Sequence, residues 1–312
     1  MARIGVVGVG GWGKNHLRVL SELGHLSCFC DSDAEKVIFY EKKYGVTGYS
    51  SLDSMIKGQH LEGVTICTPS VTHYEVTTIA LERGLHVLVE KPMAPTSAEC
   101  RKMVDLANRK GLFLTVGYIE RFNPAVTELK KQIRSGNLGQ PLLLEFHREN
   151  RWPERIIDTG IVSDTSVHDI DTARWIFEEE PNVVFARTGK VFGAYEDFAT
   201  IMLGFRDQKT AFIVSNWITP KRIRQLSAVF TGAVATIDFV RKELQIDDDK
   251  GSRKQGKRDG EPLALELTSY SDTVENGTSH LVTAKDGLNT TIISEAAIQS
   301  SIKGVPIHLK LD

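Results

Sequence analysis

The chain has 312 residues, 41% hydrophobic and 25% charged, with a formal net charge of -2. That length favours two domains over one core. The balanced charge gives no basic footprint for nucleic acid or an anionic membrane surface, and no apolar run approaches the roughly 18 residues of a membrane span.

The opening MARIGVVGVGG carries one Arg and a short apolar run ending in glycines, which suits a strand and turn rather than a signal peptide. Cys28, Cys30, Cys67 and Cys100 lie in apolar or helix-like segments without a CxxC pair. Reduced, mostly buried thiols are expected, and with them a cytoplasmic location.

Across residues 1–120, RIGVVGV, LSCFCD, GVTICTP, HVLVEKP and LFLTVGY read as strands, with amphipathic helical segments between them. Continuously apolar strands alternating with helices predict an α/β domain, a doubly wound parallel sheet of the Rossmann type. Gly8, Gly10 and Gly13 stand in G-x-G-x-x-G spacing, with Gly11 and Trp12 between the last two, directly after the first strand and before a helix. Such a turn lets the backbone approach a pyrophosphate at the helix N-terminus. Asp31 closes the second strand, where an acid hydrogen-bonds ribose hydroxyls. It would repel a 2′-phosphate, so NAD is favoured over NADP, although Lys36 is near enough to reach a phosphate. Glu90-Lys91-Pro92 follows the strand HVLV, at the strand end where open α/β sheets bind ligands. Lys91 either orients a substrate hydroxyl, acts as a base, or pairs with Glu90 on the surface.

Beyond residue 120 a helix (AVTELKKQIRSG) and a strand (LLLEFHREN) precede SDTSVHDID. In helical spacing Asp164, His168 and Asp171 stand at i, i+4 and i+7 on one face. Alone, this segment fits a metal half-site, an acid/base site or a charged helix start. Closely spaced alternating segments follow, predicting an α+β domain over 121–312 with an open, mainly antiparallel sheet, one face exposed or used as an interface. Residues 247–261 read as a solvated loop or hairpin tip. Two helices, the first with Leu267, Tyr270 and Val274 on one face, and a strand VPIHLKL close the chain.

GVGGWGKNH, TPSVTH, EKP, RFNP, DTSVHDID and DGLNTTIISEAAIQSSIKGVPI, in this order and spacing, resemble the Gfo/Idh/MocA oxidoreductases over essentially the full length. The resemblance implies a Rossmann domain followed by a domain whose open sheet often forms the oligomer interface, hence a homo-oligomer, dimer or tetramer. It implies that Lys91, Asp164 and His168 form the catalytic centre. Thr68, Pro69 and His73 of TPSVTH, with Glu90 and Lys91, join the glycine loop and Asp31 as the cofactor-binding set. An imidazole is suited to proton transfer near neutral pH, so His168 suits proton removal from a secondary alcohol, Lys91 suits holding its oxygen, and Asp164 suits orienting the imidazole. Asp171 hydrogen-bonds substrate or caps local backbone. With no separate His or Cys cluster, no metal is expected. One departure stands out: the family pattern has glycine where this chain has Ser166, whose side chain either crowds the nicotinamide or adds a hydrogen bond.

WPERIIDTGIVSDTSVHDIDTARWI and NWITPKRIRQL resemble the branch acting on nucleotide sugars, UDP-N-acetylglucosamine 3-dehydrogenases in particular. Arg148, Arg151 and Arg155 around Trp152, with Lys221, Arg222 and Arg224, suit an anionic diphosphate. Alternatively these cations face solvent and balance Glu149, Glu154 and Asp158, and His147 is structural. The expected activity is NAD-dependent oxidation of a sugar hydroxyl. A free polyol, monosaccharide or 3-ketosugar substrate and a non-catalytic NAD sensor are the alternatives.

Overall fold

The computed structural model describes residues 1–153, 158–255 and 260–311. They form two compact units, Met1–Tyr118 with Leu263–Leu288, and Ile119–Pro262 with Asn289–Asp312.

In the first unit the chain runs β1 (Ile4–Val7), α1 (Gly13–Glu22), β2 (Leu26–Cys30), α2 (Ala34–Tyr44), β3 (Thr47–Tyr49) and α3 (Leu52–Gly58). It continues through β4 (Gly63–Ile66), α4 (His73–Glu82), β5 (His86–Val89), α5 (Ser97–Lys110) and β6 (Leu114–Val116). The strands pair in parallel in the order β3-β2-β1-β4-β5-β6. β1 and β4 are buried at every residue, as a sheet covered on both faces requires. The order reverses between β1 and β4, and ligands bind at such switch points beyond the carboxyl ends of the strands. Helix starts are chemically marked: Asp33 caps α2, and Thr96 with Glu99 forms a capping box on α5.

The second unit opens with α6 (Pro124–Arg134), whose Asn123 cap accepts from Ala125 N–H. It continues with β7 (Pro141–Arg151), a π-helical turn (Val162–Ser166), α7 (Val167–Phe177), β8 (Val183–Gly189), β9 (Phe198–Gly204) and β10 (Thr210–Asn216). β11 (Ile218–Phe230), β12 (Ala233–Asp238), β13 (Glu243–Asp248) and β14 (Gly251–Gln255) follow. After α8 (Pro262–Asn276) and α9 (Ala284–Lys303) the chain ends with β15 (Ile307–His308). Among the described residues, the strands lie in the order β14-β13-β12-β11-β7-β10-β9-β8-β15. Pairing is antiparallel except between β7 and β10. Leu144, Phe146, Leu226, Ala228 and Ile213 on one face of this sheet are fully buried with Ile170 and Ala173 of α7 in the core.

Two expectations change. Residues 251–255 of the expected loop form an edge strand on β13, rich in Lys and Arg as exposed edges tend to be. The expected single boundary at 120/121 also gives way, because α8 belongs with the first unit. The anticipated stripe is correct, since Leu267 and Tyr270 are fully buried, but it meets the parallel sheet. The Tyr270 hydroxyl lies 3.0 Å from the Val64 carbonyl oxygen and 2.9 Å from that of His86. A Cβ on Gly63 would come within 2.6 Å of that hydroxyl, so the glycine makes room for it.

Candidate functional site

In the first unit the glycine loop joins β1 to α1. Gly8 has φ +82°, a conformation that favours glycine, and its N–H donates to the Cys30 carbonyl. A Cβ on Gly13 would meet the Gly8 carbonyl oxygen at 1.9 Å, so only glycine lets α1 start this close to the turn. Gly10 and Gly11 differ: a Cβ there would find nothing within 4 Å. The first turn of α1 holds no acid and no side-chain cap, leaving its positive end open to an anion. Asp31 folds back onto the loop, accepting from Val9 N–H at 2.8 Å and Asp33 N–H at 2.9 Å. Each carboxylate oxygen retains a lone pair for a ribose hydroxyl. Lys36 is held by Asp33 at 3.2 Å and lies 3.9 Å from Asp31.

The loops after β4 and β5 are tied together. The ring of His73, buried at the start of α4, has Nδ1 2.7 Å from the Pro92 carbonyl oxygen and Nε2 2.9 Å from that of Thr68. Thr72 Oγ1 donates to Thr68 Oγ1. Glu90 is a second tie: its Oε1 accepts from Trp12 Nε1 at 2.7 Å and faces His16 Nε2 at 3.0 Å, and its Oε2 accepts from Lys91 N–H. Gly117 leaves room for this carboxylate, since a Cβ there would stand 2.9 Å from Oε1. Both residues, expected to touch cofactor, spend these side-chain groups on the protein itself. They hold the loops that carry Thr68, Pro69 and Lys91. Trp12 joins them through its indole N–H. Lys91 is half-buried, Thr68 half-buried and Pro69 exposed.

In the second unit the expected helix over SDTSVHDID begins as the π-helical turn, which widens the spiral before α7 takes over at Val167. The three acid/base groups are thereby separated in environment. Asp164 and His168 are half-buried, and Thr165 Oγ1 donates to Asp164. Asp171 is buried under a bidentate pair from Arg121, Nε to Oδ2 at 2.8 Å and Nη2 to Oδ1 at 2.7 Å. It therefore anchors the helix, which corrects its expected substrate or capping role. Ser166 points inward and donates to Ser215 Oγ of β10 at 3.0 Å, buried on both sides. Its extra hydroxymethyl therefore adds a hydrogen bond within this unit.

The expected phosphate-binding cluster divides in the same way. Arg148 is buried, with Asp169 bound to Nε and Nη2 and Glu120 to Nη1. Desolvation pulls its pKa down, but the two carboxylates outweigh it and hold the guanidinium charged. Buried, with three of its five N–H donors on carboxylates of the core, Arg148 anchors α7, a correction to its expected place in the phosphate-binding cluster. Arg151, Lys221 and Arg222 are exposed, Arg151 donating to the Pro220 carbonyl. Arg155 lies outside the described residues. His147 is exposed beside Glu149. Among the described residues no group of three or more His, Cys, Asp or Glu is placed to hold a metal, and no helix is long and apolar enough to cross a membrane.

Residues 2–118 match the family model described as "Oxidoreductase family, NAD-binding Rossmann fold", and residues 126–238 match that of the GFO/IDH/MocA C-terminal domain. The chain belongs to the Gfo/Idh/MocA family. It is an NAD-binding oxidoreductase acting on CH–OH groups. UDP-N-acetylglucosamine 3-dehydrogenase of Acidithiobacillus ferrooxidans is 26% identical over 78% of this chain and 76% of its own. Inositol 2-dehydrogenase 3 of Saccharopolyspora erythraea is 27% identical over 99% and 96%. Among solved structures, the WlbA dehydrogenase from Bordetella pertussis in complex with NADH and UDP-GlcNAcA superposes with a TM-score of 0.86, at 22% identity over 100% and 99% of the two chains.

For this Gfo/Idh/MocA chain the cofactor test is the glycine loop. The open space at Gly10 and Gly11, beside an uncapped helix start and a carboxylate with spare acceptor capacity, fits a dinucleotide. Sequence reasoning missed His16, Glu120, Arg121, Asp169 and Ser215. All five act through partners at least 21 residues away, so no local spacing announces them.

Proposed function

We propose that the chain oxidises a secondary hydroxyl of a nucleotide sugar with NAD, in its sharpest form UDP-N-acetylglucosamine to the 3-keto sugar. The observation that carries the reading is the sorting of acids along α7. Asp169 and Asp171 are buried and bound by Arg148 and Arg121, whereas Asp164 on the π-helical turn and His168 in the first turn of α7 are only half-buried.

In this reading Gly8, Gly10, Gly11 and Gly13 hold the pyrophosphate against the start of α1, and Asp31 takes the ribose hydroxyls. The preference for NAD over NADP rests on Asp31, whose charge opposes a 2′-phosphate. Lys36 leans on Asp33. When bound, NAD supplies the electron-pair acceptor for the carbinol carbon. Lys91 donates a hydrogen bond to the substrate oxygen and stabilises its developing negative charge, and His168 takes the hydroxyl proton. Asp164 orients the imidazole. The similarity to UDP-N-acetylglucosamine 3-dehydrogenase supports the nucleotide-sugar version, while that to inositol 2-dehydrogenase 3 supports a free polyol as the second reading.

The test is NADH formation by purified protein with UDP-N-acetylglucosamine, N-acetylglucosamine and myo-inositol. Turnover confined to the nucleotide sugar supports the first reading. Turnover of inositol alone replaces it with the second.

A further inference from the structure

The register of the large sheet places three polar residues side by side in an otherwise apolar face. Ser215 of β10 lies opposite Arg148 of β7, and Arg148 lies opposite Arg224 of β11. Directly paired residues share a sheet face. The next paired positions on this face, Phe146 with Leu226 and Leu144 with Ala228, are buried. The first two members of the polar row are tied to the start of the helix that carries His168: Ser215 receives Ser166, and Arg148 grips Asp169.

Arg224 is the member left over. The carboxylates whose charge reaches it, Asp169 and Glu120, are already bound by Arg148. Among the described residues no hydrogen bond or ion pair engages the Arg224 guanidinium. It is half-buried, so it is neither sealed in the core nor fully hydrated. Loss of water and the like charges of Arg148 and Arg222 push its pKa down to about 10. A guanidinium left in this state gains most from an oxyanion able to accept two parallel N–H bonds. A solvent-facing charge would have kept its hydration, and a structural one would have a carboxylate of its own.

We propose that Arg224 is a specificity-determining residue that binds a phosphoryl oxygen of the substrate. This deepens the nucleotide-sugar reading and rests on it for the identity of the ligand. It also moves phosphate recognition away from Arg148, which is buried between Asp169 and Glu120, to the neighbouring strand. Arg222, exposed two residues earlier, adds long-range attraction.

The experiment measures UDP binding to the NAD-loaded protein by titration calorimetry, and the KM for UDP-N-acetylglucosamine, in wild type, Arg224→Met and Arg224→Lys. Loss of a desolvated, bidentate phosphate contact is expected to weaken UDP binding at least about tenfold in Arg224→Met, with KM rising in parallel and kcat less affected. Arg224→Lys keeps the charge without the fork and should fall between, and it carries the test should the Met variant not fold. UDP binding unchanged in folded variants, or no UDP binding to wild type, overturns the proposal. Wild type that binds UDP through Arg224 but oxidises no nucleotide sugar upholds the site and defeats the proposed reaction. Nucleotide-sugar turnover indifferent to Arg224 does the reverse.

Discussion

Position 166 shows how one side chain is decided by what lies beneath it. Its hydroxyl donates to Ser215 in a buried environment. Ser166→Ala leaves Ser215 Oγ without this donor and is expected to cost about 1–2 kcal/mol in denaturant unfolding, with kcat within a few-fold of wild type. A hundred-fold loss of kcat at unchanged stability would instead mean that the hydroxyl serves the reaction. Lys91→Met and His168→Asn should do the opposite: kcat falls roughly 10²–10⁴-fold while unfolding midpoints are nearly unchanged. Turnover surviving in either variant would remove that residue from the proposed chemistry.

At the scale of elements, α7 is held to its unit by two buried Arg–carboxylate pairs from outside the helix, Arg121 on Asp171 and Arg148 on Asp169. Breaking one member of such a pair leaves an uncompensated charge in the core. Asp171→Ala should therefore destabilise by about 3–5 kcal/mol. If it instead raised KM for the sugar at unchanged stability, Asp171 would be a substrate ligand after all. The turn ahead of α7 is sensitive to pH through Glu196. Burial raises its carboxyl above the ordinary 4.5, although it accepts from Val162 N–H. A group with a raised folded-state value stabilises fully below 4.5 and loses that contribution as pH rises through the folded value. Glu196→Gln keeps the acceptor and cannot ionise. Its melting temperature should thus gain on wild type as pH rises from about 4 to about 7. A constant gap would show that Glu196 does not titrate in this range.

The elements themselves were largely legible. Glycine spacing, apolar strand runs and the Leu267–Tyr270 stripe are local patterns, and each formed where expected. What the sequence did not show was partnership. Periodicity says that Tyr270 faces a core but not which one, and it meets Val64, 206 residues away in the chain. Charge spacing likewise made Asp171 a companion of His168, whereas Arg121, 50 residues earlier, claims it.

At the scale of the whole molecule, the sheet of the second unit leaves its other face partly apolar. Met202 and Phe185 adjoin Phe212 across β9 and β8, and Phe212 and Val234 are 39% and 37% exposed. We propose that this face pairs with that of a second copy, as the family resemblance implies. In light scattering wild type is then expected to run as a dimer or tetramer and Phe212→Glu as a folded monomer. A monomeric wild type would refute the interface.

The proposed chemistry is oxidation of a nucleotide-sugar hydroxyl by NAD. The most direct measurement is kcat/KM for UDP-N-acetylglucosamine against N-acetylglucosamine with NAD, with the product sugar analysed by mass spectrometry. The expected outcome is a product two hydrogens lighter, formed with matching NADH, and a preference for the nucleotide sugar of at least about a hundred-fold, the worth of well-made phosphate contacts. Equal turnover of both sugars, or none of either by protein that binds NAD, would contradict it.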